Sequence, residues 1–254
     1  MRSLRHGFWY GLSERIRWSR GEYRETPALR LPPLDPEQAE RIAALRDRYQ
    51  VQFERRLAAR TSLNNYEYLD ILDRAWGAGG LARPQGGVLC DVGCASFWYA
   101  ECLQTFFRPS ELVGVEVEGF RLYRDGRTRL DYARGYLAQL PRARLRIADY
   151  RGYEEPADLI CAWFPFVTPT AILAWRLPLT LLAPQALMRQ VGRNLRRGGR
   201  FVMVNHGWEE AAKADVYCAA AGLSALFRHG EGGVLSRHRA VVPVVSVWQH
   251  VEVP

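Results

Sequence analysis

The chain has 254 residues, of which 48% are hydrophobic and 24% are charged. This balance is typical of a folded globular protein, and it excludes a collagen, a coiled coil, a disulfide scaffold and a wholly disordered chain. Basic residues outnumber acidic residues by 35 to 27, which gives a net charge of +8. The basic residues are nearly all arginines scattered along the chain, so we interpret this charge as a solvated surface in preference to a phosphate-binding face.

Cysteine usage and hydropathy indicate the environment of the protein. The five cysteines are Cys90, Cys94, Cys102, Cys161 and Cys218. Their number is odd and their spacing matches no zinc site, so we predict free thiols and no metal. The N-terminus lacks the apolar stretch of a signal peptide, and prolines interrupt the most apolar region, residues 159–175. We therefore predict a reduced, cytoplasmic protein that does not enter a membrane.

Residues 1–80 are predicted to form an N-terminal arm and a helical extension. Residues 1–34 mix arginines with aromatic residues and end in a proline-rich connector. Asp35 followed by Pro36 is typical of a helix start, and apolar residues recur at helical spacing to about Arg60. A second helix is predicted over residues 65–76, because a glycine-rich segment follows it.

Residues 81–254 are predicted to form one α/β domain. Apolar runs typical of strands cover residues 88–92, 112–117, 145–148, 159–164, 201–204, 223–227 and 241–248. Helical patterns cover residues 97–107, 130–140, 187–195 and 211–221. Strand–helix alternation implies crossover connections and a parallel, doubly wound sheet. Only a loop at residues 228–239 separates the last two strands, so we predict a mostly parallel seven-stranded sheet that ends in an antiparallel hairpin.

The most informative motif is V-L-C-D-V-G-C-A-S-F at residues 88–97. An apolar strand ends in Asp91-Val92-Gly93 and turns directly into a helix. Ligands of open α/β sheets bind at the carboxyl ends of the strands, and a helix N-terminus there offers free N–H groups. The side chain of Asp91 is therefore a candidate acceptor for a ligand ammonium or for loop amides, and Gly93 permits close approach of a ligand.

This region resembles the class I S-adenosylmethionine-dependent methyltransferases, whose first motif is an acidic residue followed by x-Gly-x-Gly-x-Gly. Here Ala95 and Phe97 stand in place of the second and third glycines. V-G-V-E-V-E at residues 113–118 resembles the second strand of the family, and R-I-A-D-Y at residues 146–150 resembles the end of its third strand. D-L-I at residues 158–160 resembles the start of the fourth strand, and residues 195–204 resemble the Gly-Gly turn and the fifth strand. The resemblance covers about residues 84–250, and these segments occur in the family's order.

The resemblance implies S-adenosylmethionine as cofactor. It implies that Glu116 holds the ribose hydroxyls and that Asp149 meets the adenine amino group. The full set of predicted cofactor-binding residues is Asp91, Gly93, Cys94, Ala95, Glu116, Val117, Asp149 and Tyr150. A carboxylate suits the ribose because it accepts charge-assisted hydrogen bonds from two hydroxyls.

Two further segments are candidates for the methyl acceptor. Trp163, Phe164, Pro165 and Phe166 follow the fourth strand, where the family lines its acceptor pocket; core packing explains these aromatics equally well. They lack the Asn/Asp-Pro-Pro-Tyr/Phe pattern of some amino-group methyltransferases, which argues against an exocyclic amine. His206 follows the fifth strand, and we hypothesise a general base or an acceptor-positioning group. A rim histidine without a chemical role is the alternative.

We therefore predict a methyltransferase acting on an unidentified acceptor, with a small molecule favoured and a nucleic acid left open. The alternative is a catalytically inactive methyltransferase-like domain that binds a protein or RNA partner, because two glycines of the first motif are replaced. A nicotinamide-dependent oxidoreductase is disfavoured, since Gly93, Ala95 and Trp98 do not match its Gly-x-Gly-x-x-Gly motif. Oligomeric state is not readable from the sequence.

Overall fold

The computed structural model describes residues 2–236 and 240–251, and within these ranges helices surround one seven-stranded sheet. The helices are α1 (Arg2–Ile16), α2 (Pro36–Tyr49), α3 (Ala59–Gly79), α4 (Ala100–Phe107), α5 (Arg129–Leu137), α6 (Pro169–Ala174), α7 (Pro184–Asn194) and α8 (Gly207–Ala219). The strands are β1 (Val88–Val92), β2 (Glu111–Glu116), β3 (Ala143–Ile147), β4 (Ala157–Trp163), β5 (Leu195–His206), β6 (Leu223–His229) and β7 (Pro243–His250).

The sheet has the strand order β3-β2-β1-β4-β5-β7-β6. Strands β1 to β5 pair in parallel, and β7 pairs antiparallel with both β5 and β6. This confirms the predicted mostly parallel sheet with an antiparallel end. The order reverses at β1, so the carboxyl ends of β1 and β4 flank the crevice where ligands of such sheets bind.

The N-terminal segment differs from the predicted arm, because Arg2–Ile16 forms helix α1. Several of its large apolar side chains face solvent: Leu4 is 80% and Phe8 65% exposed, and none of its residues is fully buried. The face toward the protein carries small and polar residues such as Ser3 and Gly7. The apolar pattern therefore does not indicate how this helix packs, so no core-facing stripe was predictable for it.

The two predicted helices of the extension have different bounds in the structure. Helix α2 ends at Tyr49 because Gln50 adopts a left-handed conformation with φ 52°. The apolar pattern continues through Phe53, which is fully buried in a 3-10 turn. Helix α3 begins at Ala59, before the predicted residue 65, and ends with Gly80 as a left-handed cap.

Several boundaries in the α/β domain also shift, including those beside the first motif and the Gly-Gly turn. Helix α4 starts at Ala100 and not at residue 97, because Phe97 has a positive φ of 54° that no α-helix contains. Strand β5 starts at Leu195, before the predicted residue 201, and shifts register against β4 where it passes the Gly-Gly turn.

The core has two parts, one on each face of the sheet. One part joins α2, α3 and α4 to the sheet, with Leu69, Leu103 and Leu159 among its buried members. The other lies under α7 and α8 and contains Met188 and Phe201. Helices α2 and α3 thus share a continuous apolar cluster with the sheet, and α3 reaches the site described below.

Candidate functional site

The loop after β1 keeps a glycine-like backbone although only one glycine is present. Gly93 has φ 73°, Ala95 has φ 51° and Phe97 has φ 54°. All three lie in the left-handed region that glycine favours. A Cβ built on Gly93 meets no atom within 4 Å, so this residue borders open space. Ala95 and Phe97, which replace the second and third glycines of the family motif, therefore adopt the backbone conformation that glycine favours.

The side chain of Phe97 is fully buried and turns away from the ligand side of the loop. It lies against Gly114 on β2: a Cβ built there is 2.6 Å from Phe97 Cε1 and 2.7 Å from Cys94 Sγ. Glycine at position 114 thus makes room for the ring. Cys94 also directs its thiol into this core, and burial raises its pKa well above the ordinary value.

Asp91 is a buried carboxylate at the end of β1. Its Oδ2 accepts a hydrogen bond from the hydroxyl of Tyr99 at 2.6 Å, and its Oδ1 has no partner among the described residues. Burial, together with the nearby carboxylate of Glu116, raises the pKa of Asp91 well above the ordinary value. A cationic group that reached Oδ1 would lower that pKa and stabilise the charged form.

Glu116 is the centre of a hydrogen-bond network at the end of β2. Its Oε2 accepts from the backbone N–H of Ala95 at 2.8 Å. Its Oε1 accepts from the backbone N–H of Glu118 at 2.8 Å and from Arg129 at 2.7 Å. A carboxylate offers about four acceptor positions, so one on Oε2 is left for a ligand hydroxyl.

Arg129 is a buried cation that the sequence analysis missed. It is the first residue of α5, and the capping box of Thr128 and Asp131 fixes that helix start. The guanidinium contacts Glu116 and, at 3.2 Å, Glu118, while its Nε has no partner among the described residues. Two carboxylates around one guanidinium satisfy the rule that buried charges are paired.

Asp149 lies just after β3, in the position that the resemblance assigns to adenine. Its Oδ1 accepts from the backbone N–H of Arg151 at 3.0 Å and from that residue's Nε at 2.9 Å. Burial raises the pKa of Asp149, but these hydrogen bonds outweigh it and lower the pKa below its ordinary value. Asp149 is therefore an ionised acceptor already held in place by its neighbour.

Glu116, Arg129 and Asp149 border one cavity of about 390 Å³ at the carboxyl ends of the strands. Ligand pockets typically measure about 300–1,000 Å³. Predicted residues that line it are Gly93, Ala95, Glu116, Val117, Asp149, Tyr150, Trp163, Phe164, Pro165, Phe166 and His206. Asp91 and Cys94 do not line it, because their side chains are buried behind the loop.

Aromatic rings form the wall of the cavity near β4. Tyr68 of α3 stacks on Trp163 with ring centroids 4.1 Å apart and planes 15° apart. Trp98 meets Tyr68 edge-on at 4.8 Å, and Tyr99 is 5.2 Å from it. The sequence analysis missed Tyr68, Trp98 and Tyr99 as lining residues. Trp98 and Tyr99 follow the first motif directly, so position could have indicated them, whereas no sequence signal connects Tyr68 to this site.

His206 lies at the rim of the cavity, at the end of β5. Its ring stacks on Phe164 with centroids 4.1 Å apart and planes 13° apart. Its backbone N–H donates to the carboxylate of Glu210 at 2.6 Å. Burial raises the pKa of Glu210, although this hydrogen bond opposes the rise. The imidazole itself is exposed, so solvent reaches it as well as the cavity.

Helix α1 lies beside the acidic end of the cavity. Ser3 Oγ accepts a hydrogen bond from the backbone N–H of Leu179 at 2.9 Å, close to the lining residue Leu181. Burial and the carboxylates of Glu14 and Asp149 raise the pKa of Tyr10 to about 12. The N-terminal segment therefore contributes to the surroundings of the site.

Comparison with protein-family models and with curated proteins gives no match. Among solved structures, geranyl diphosphate C-methyltransferase from Streptomyces coelicolor A3(2), in complex with Mg²⁺, geranyl diphosphate and S-adenosyl-L-homocysteine, matches with a TM-score of 0.53 and 12% identity over 98% of each chain. A putative RNA methyltransferase from Pyrococcus horikoshii matches with a TM-score of 0.53 and 13% identity over 86% of this chain and 100% of its own. An S-adenosylmethionine-dependent methyltransferase from Clostridium acetobutylicum ATCC 824 has a TM-score of 0.50, with 10% identity over 84% of this chain and 98% of its own. The chain has the class I methyltransferase fold.

Within this class I methyltransferase fold, the cavity occupies the crevice where the strand order reverses. None of the helices in the described part of the chain combines the length and hydrophobicity that a membrane span requires. The described residues also contain no group of three or more His, Cys, Asp or Glu side chains arranged to hold a metal ion.

Proposed function

We propose that this protein is an S-adenosylmethionine-dependent methyltransferase whose acceptor binds in the same cavity as the cofactor. The observation that carries the proposal is the convergence of the left-handed β1 loop, Glu116 and Asp149 on one cavity. When bound, the cofactor supplies a methyl group on a cationic sulfur, and the protein supplies alignment and electrostatics.

The residues present fit the cofactor chemically. Asp91 Oδ1 has no partner among the described residues and lies behind the lining residues Val92 and Gly93, so it suits the ammonium of the methionine moiety where that group approaches the loop. Gly93 leaves open space beside the loop for a close approach. Glu116 Oε2 retains one acceptor position for a ribose hydroxyl, and Asp149 is an ionised acceptor for the adenine amino group.

The solved structures of the same fold support this proposal. Several are described as methyltransferases, and one of them contains S-adenosyl-L-homocysteine. The competing proposal, an inactive domain, rests on the replaced glycines of the first motif. That argument is weakened because Ala95 and Phe97 keep the positive φ angles that glycines would have, so the loop backbone follows the same course. The Phe97 ring packs against Gly114 and does not fill the ligand side of the loop.

We further propose that His206 positions the acceptor or takes its proton. It lies on the cavity rim, and an imidazole is the side chain that most often transfers protons near neutrality. Rings from four segments of the chain line the cavity, and an apolar pocket of this size favours a small-molecule acceptor over a nucleic acid.

The test is calorimetric titration of the purified protein with S-adenosylhomocysteine. We expect micromolar binding that weakens about 10–100-fold in Glu116→Gln and in Asp149→Asn, because each loses a hydrogen bond to a charged group. The matched control is Glu111→Gln at the opposite end of β2, whose carboxylate pairs with Arg144 at 2.6 Å and does not line the cavity.

Binding that is equally strong in all three variants would place the cofactor elsewhere. No detectable binding by protein with a cooperative melting transition would refute the proposal and favour the inactive, partner-binding domain.

A further inference from the structure

Helix α1 is docked on the rest of the protein along one side only. Near its start, Ser3 Oγ accepts a hydrogen bond from the backbone N–H of Leu179 at 2.9 Å. Just past its end, the indole N–H of Trp18 donates to the backbone carbonyl of Gly126 at 2.8 Å. Because the helix is held at both ends, the side that faces solvent is fixed.

The solvent-facing side of α1 carries a ridge of apolar side chains, which we call the apolar ridge: Leu4, Phe8, Trp9, Leu12 and Ile16. Four of its members recur every four residues, and the ring of Trp9 meets that of Phe8 edge-on with centroids 5.5 Å apart. All except the half-buried Leu12 are more than half exposed. At 3.6 residues per turn, the ridge covers an arc of roughly 140°. Single exposed apolar residues are ordinary, whereas a contiguous set of this kind marks a binding surface.

Arginines lie on the same side of the helix as the apolar ridge. Arg2, Arg5 and Arg15 are exposed, and none of them forms an ion pair with another described residue. The single acidic residue of α1 is Glu14, which lies on the docked side, where its Oε1 is buried. The outer side of the helix therefore combines apolar and positively charged side chains, and no carboxylate of the helix opposes them.

This combination distinguishes among the surfaces that would cover the helix. A second copy, docked by the same side, would bring arginines toward arginines, because a two-fold interface pairs a patch with itself. A nucleic acid would pair its phosphates with the arginines but leave Leu4 and Ile16 without an apolar partner. An anionic lipid bilayer offers both partners, since its phosphates attract arginines and its acyl boundary takes up tryptophan, phenylalanine and leucine side chains.

We infer that the outer side of α1 binds the surface of an anionic lipid bilayer. The apolar ridge enters the boundary between headgroups and acyl chains, and the arginines extend to the lipid phosphates. A helix of this kind lies on the bilayer and does not cross it. The arginine-rich composition was interpreted as a solvated surface, and this inference assigns lipid contacts to Arg2, Arg5 and Arg15. It does not depend on the proposed methyltransferase activity.

The experiment is flotation of the full chain with lipid vesicles. Vesicles of pure phosphatidylcholine, which are neutral, are compared with vesicles of three parts phosphatidylcholine to one part phosphatidylglycerol, which are anionic. Each arginine near an anionic surface strengthens binding about fivefold, so we expect at least about tenfold stronger partition into the anionic vesicles. That preference should largely disappear at about 1 M salt, where the Debye length is about 3 Å. Equal partition into both kinds of vesicle, or partition into neither, overturns the inference.

Variants locate the binding on α1. Phe8→Ser and Trp9→Ser should each weaken partition into anionic vesicles about tenfold by removing a buried ring, and Arg5→Gln should weaken it about fivefold. The matched controls are Val216→Ser on α8, where the side chain is 67% exposed, and Arg193→Gln on α7, where the arginine is exposed. Since all five side chains are exposed, the melting temperature should stay the same in each variant. Partition that is unchanged in Phe8→Ser or in Arg5→Gln, or that falls equally in the controls, overturns the inference.

Other occupants of the helix give different results. A dimer in sedimentation velocity that Phe8→Ser converts to a monomer would assign the apolar ridge to a second copy and overturn the inference. Excess soluble glycerophosphate should leave the protein on the vesicles, because it offers no apolar layer. Displacement by glycerophosphate, or by single-stranded RNA at equal phosphate concentration, would assign the arginines to a soluble ligand and also overturn it. The vesicle experiment needs no S-adenosylhomocysteine, so failure of the proposed cofactor and failure of this inference are distinguished by separate measurements.

Discussion

The pairing of Phe97 with Gly114 makes a quantitative prediction about stability. In Gly114→Ala the new Cβ lies 2.6 Å from Phe97 Cε1 and 2.7 Å from Cys94 Sγ, and both side chains are fully buried. Overpacking of a dense core costs roughly 1–3 kcal/mol, and two contacts this short place the expected loss of unfolding free energy near ~2 kcal/mol. For a protein of this size that loss lowers the melting temperature by about 4–8 °C.

A double-mutant cycle isolates this contact. Phe97→Ala alone is expected to cost about 3–5 kcal/mol, because it leaves a cavity where a buried ring was. Once the ring is absent, the contact at 2.6 Å is gone and the Cys94 thiol can shift into the vacated space, so the combined loss should fall short of the sum by about 1–2 kcal/mol. Unfolding free energies from urea denaturation, with thermal melting as a second probe, give all four corners of the cycle.

The matched control is Gly152→Ala, because a Cβ built on Gly152 meets no atom within 4 Å. It should change stability by no more than about 0.5 kcal/mol. If the losses of Gly114→Ala and Phe97→Ala add within about 0.5 kcal/mol, the ring does not lie under β2. The explanation of how the loop tolerates Phe97 would then be refuted.

Three further predictions concern the same site. Ala95→Gly should stabilise the protein by about 1 kcal/mol in urea denaturation, because relief of roughly 1–2 kcal/mol of left-handed strain exceeds the roughly 0.4–1 kcal/mol of added unfolded-state entropy; a destabilised variant would contradict the left-handed φ. The pKa of Asp91 is raised by folding, so its contribution to stability is complete below about pH 4 and is lost as the pH rises. Asp91→Asn should therefore melt higher than wild type at pH 8 and approach it near pH 4, and a difference that does not vary with pH would refute the raised pKa. Arg129→Gln should lose about 3–5 kcal/mol because it leaves Glu116 buried without its cation, whereas Glu118 keeps its contact with Arg121 at 3.0 Å. Adding Glu116→Gln should restore part of the loss, and additive losses would argue against the network.

Much of the fold was predictable because it depends on local signals. The apolar runs around Val88–Val92 and Ala157–Trp163 are buried central strands, and their uniform hydrophobicity is typical of parallel strands covered on both faces. The short connection between the last two strands required antiparallel pairing, which the structure confirms. Asp35 and Pro36 predicted the start of α2 correctly, because a helix start depends on two or three adjacent residues.

What the sequence did not predict depends on contacts between distant residues. Helix α1 presents Leu4 and Phe8 to solvent, so its pattern is uninformative about its packing. The end of α2 at Tyr49 follows from the left-handed Gln50, although the apolar spacing continues beyond it. These are cases in which tertiary structure overrides local preference.

Some residues of the candidate site were predictable from local motifs, and others depend on contacts between distant parts of the chain. Gly93, Glu116 and Asp149 were identified because they end strands of a recognisable order, and the structure places all three at one cavity. The contribution of Tyr68 depends on how α3 packs across the sheet, and that of Arg129 on the turn before α5. Neither has a spacing relation to the motif. The roles assigned to these residues remain predictions.

The most direct test of the central claim is a crystal structure of the protein grown with excess S-adenosylhomocysteine. The account predicts ligand density in the cavity, with the ribose within hydrogen-bond distance of Glu116, the adenine beside Asp149 and the amino group toward Asp91. Density for the ligand at another surface, or a cavity that contains only solvent at saturating ligand, would contradict the assignment of this cavity as a methyltransferase site.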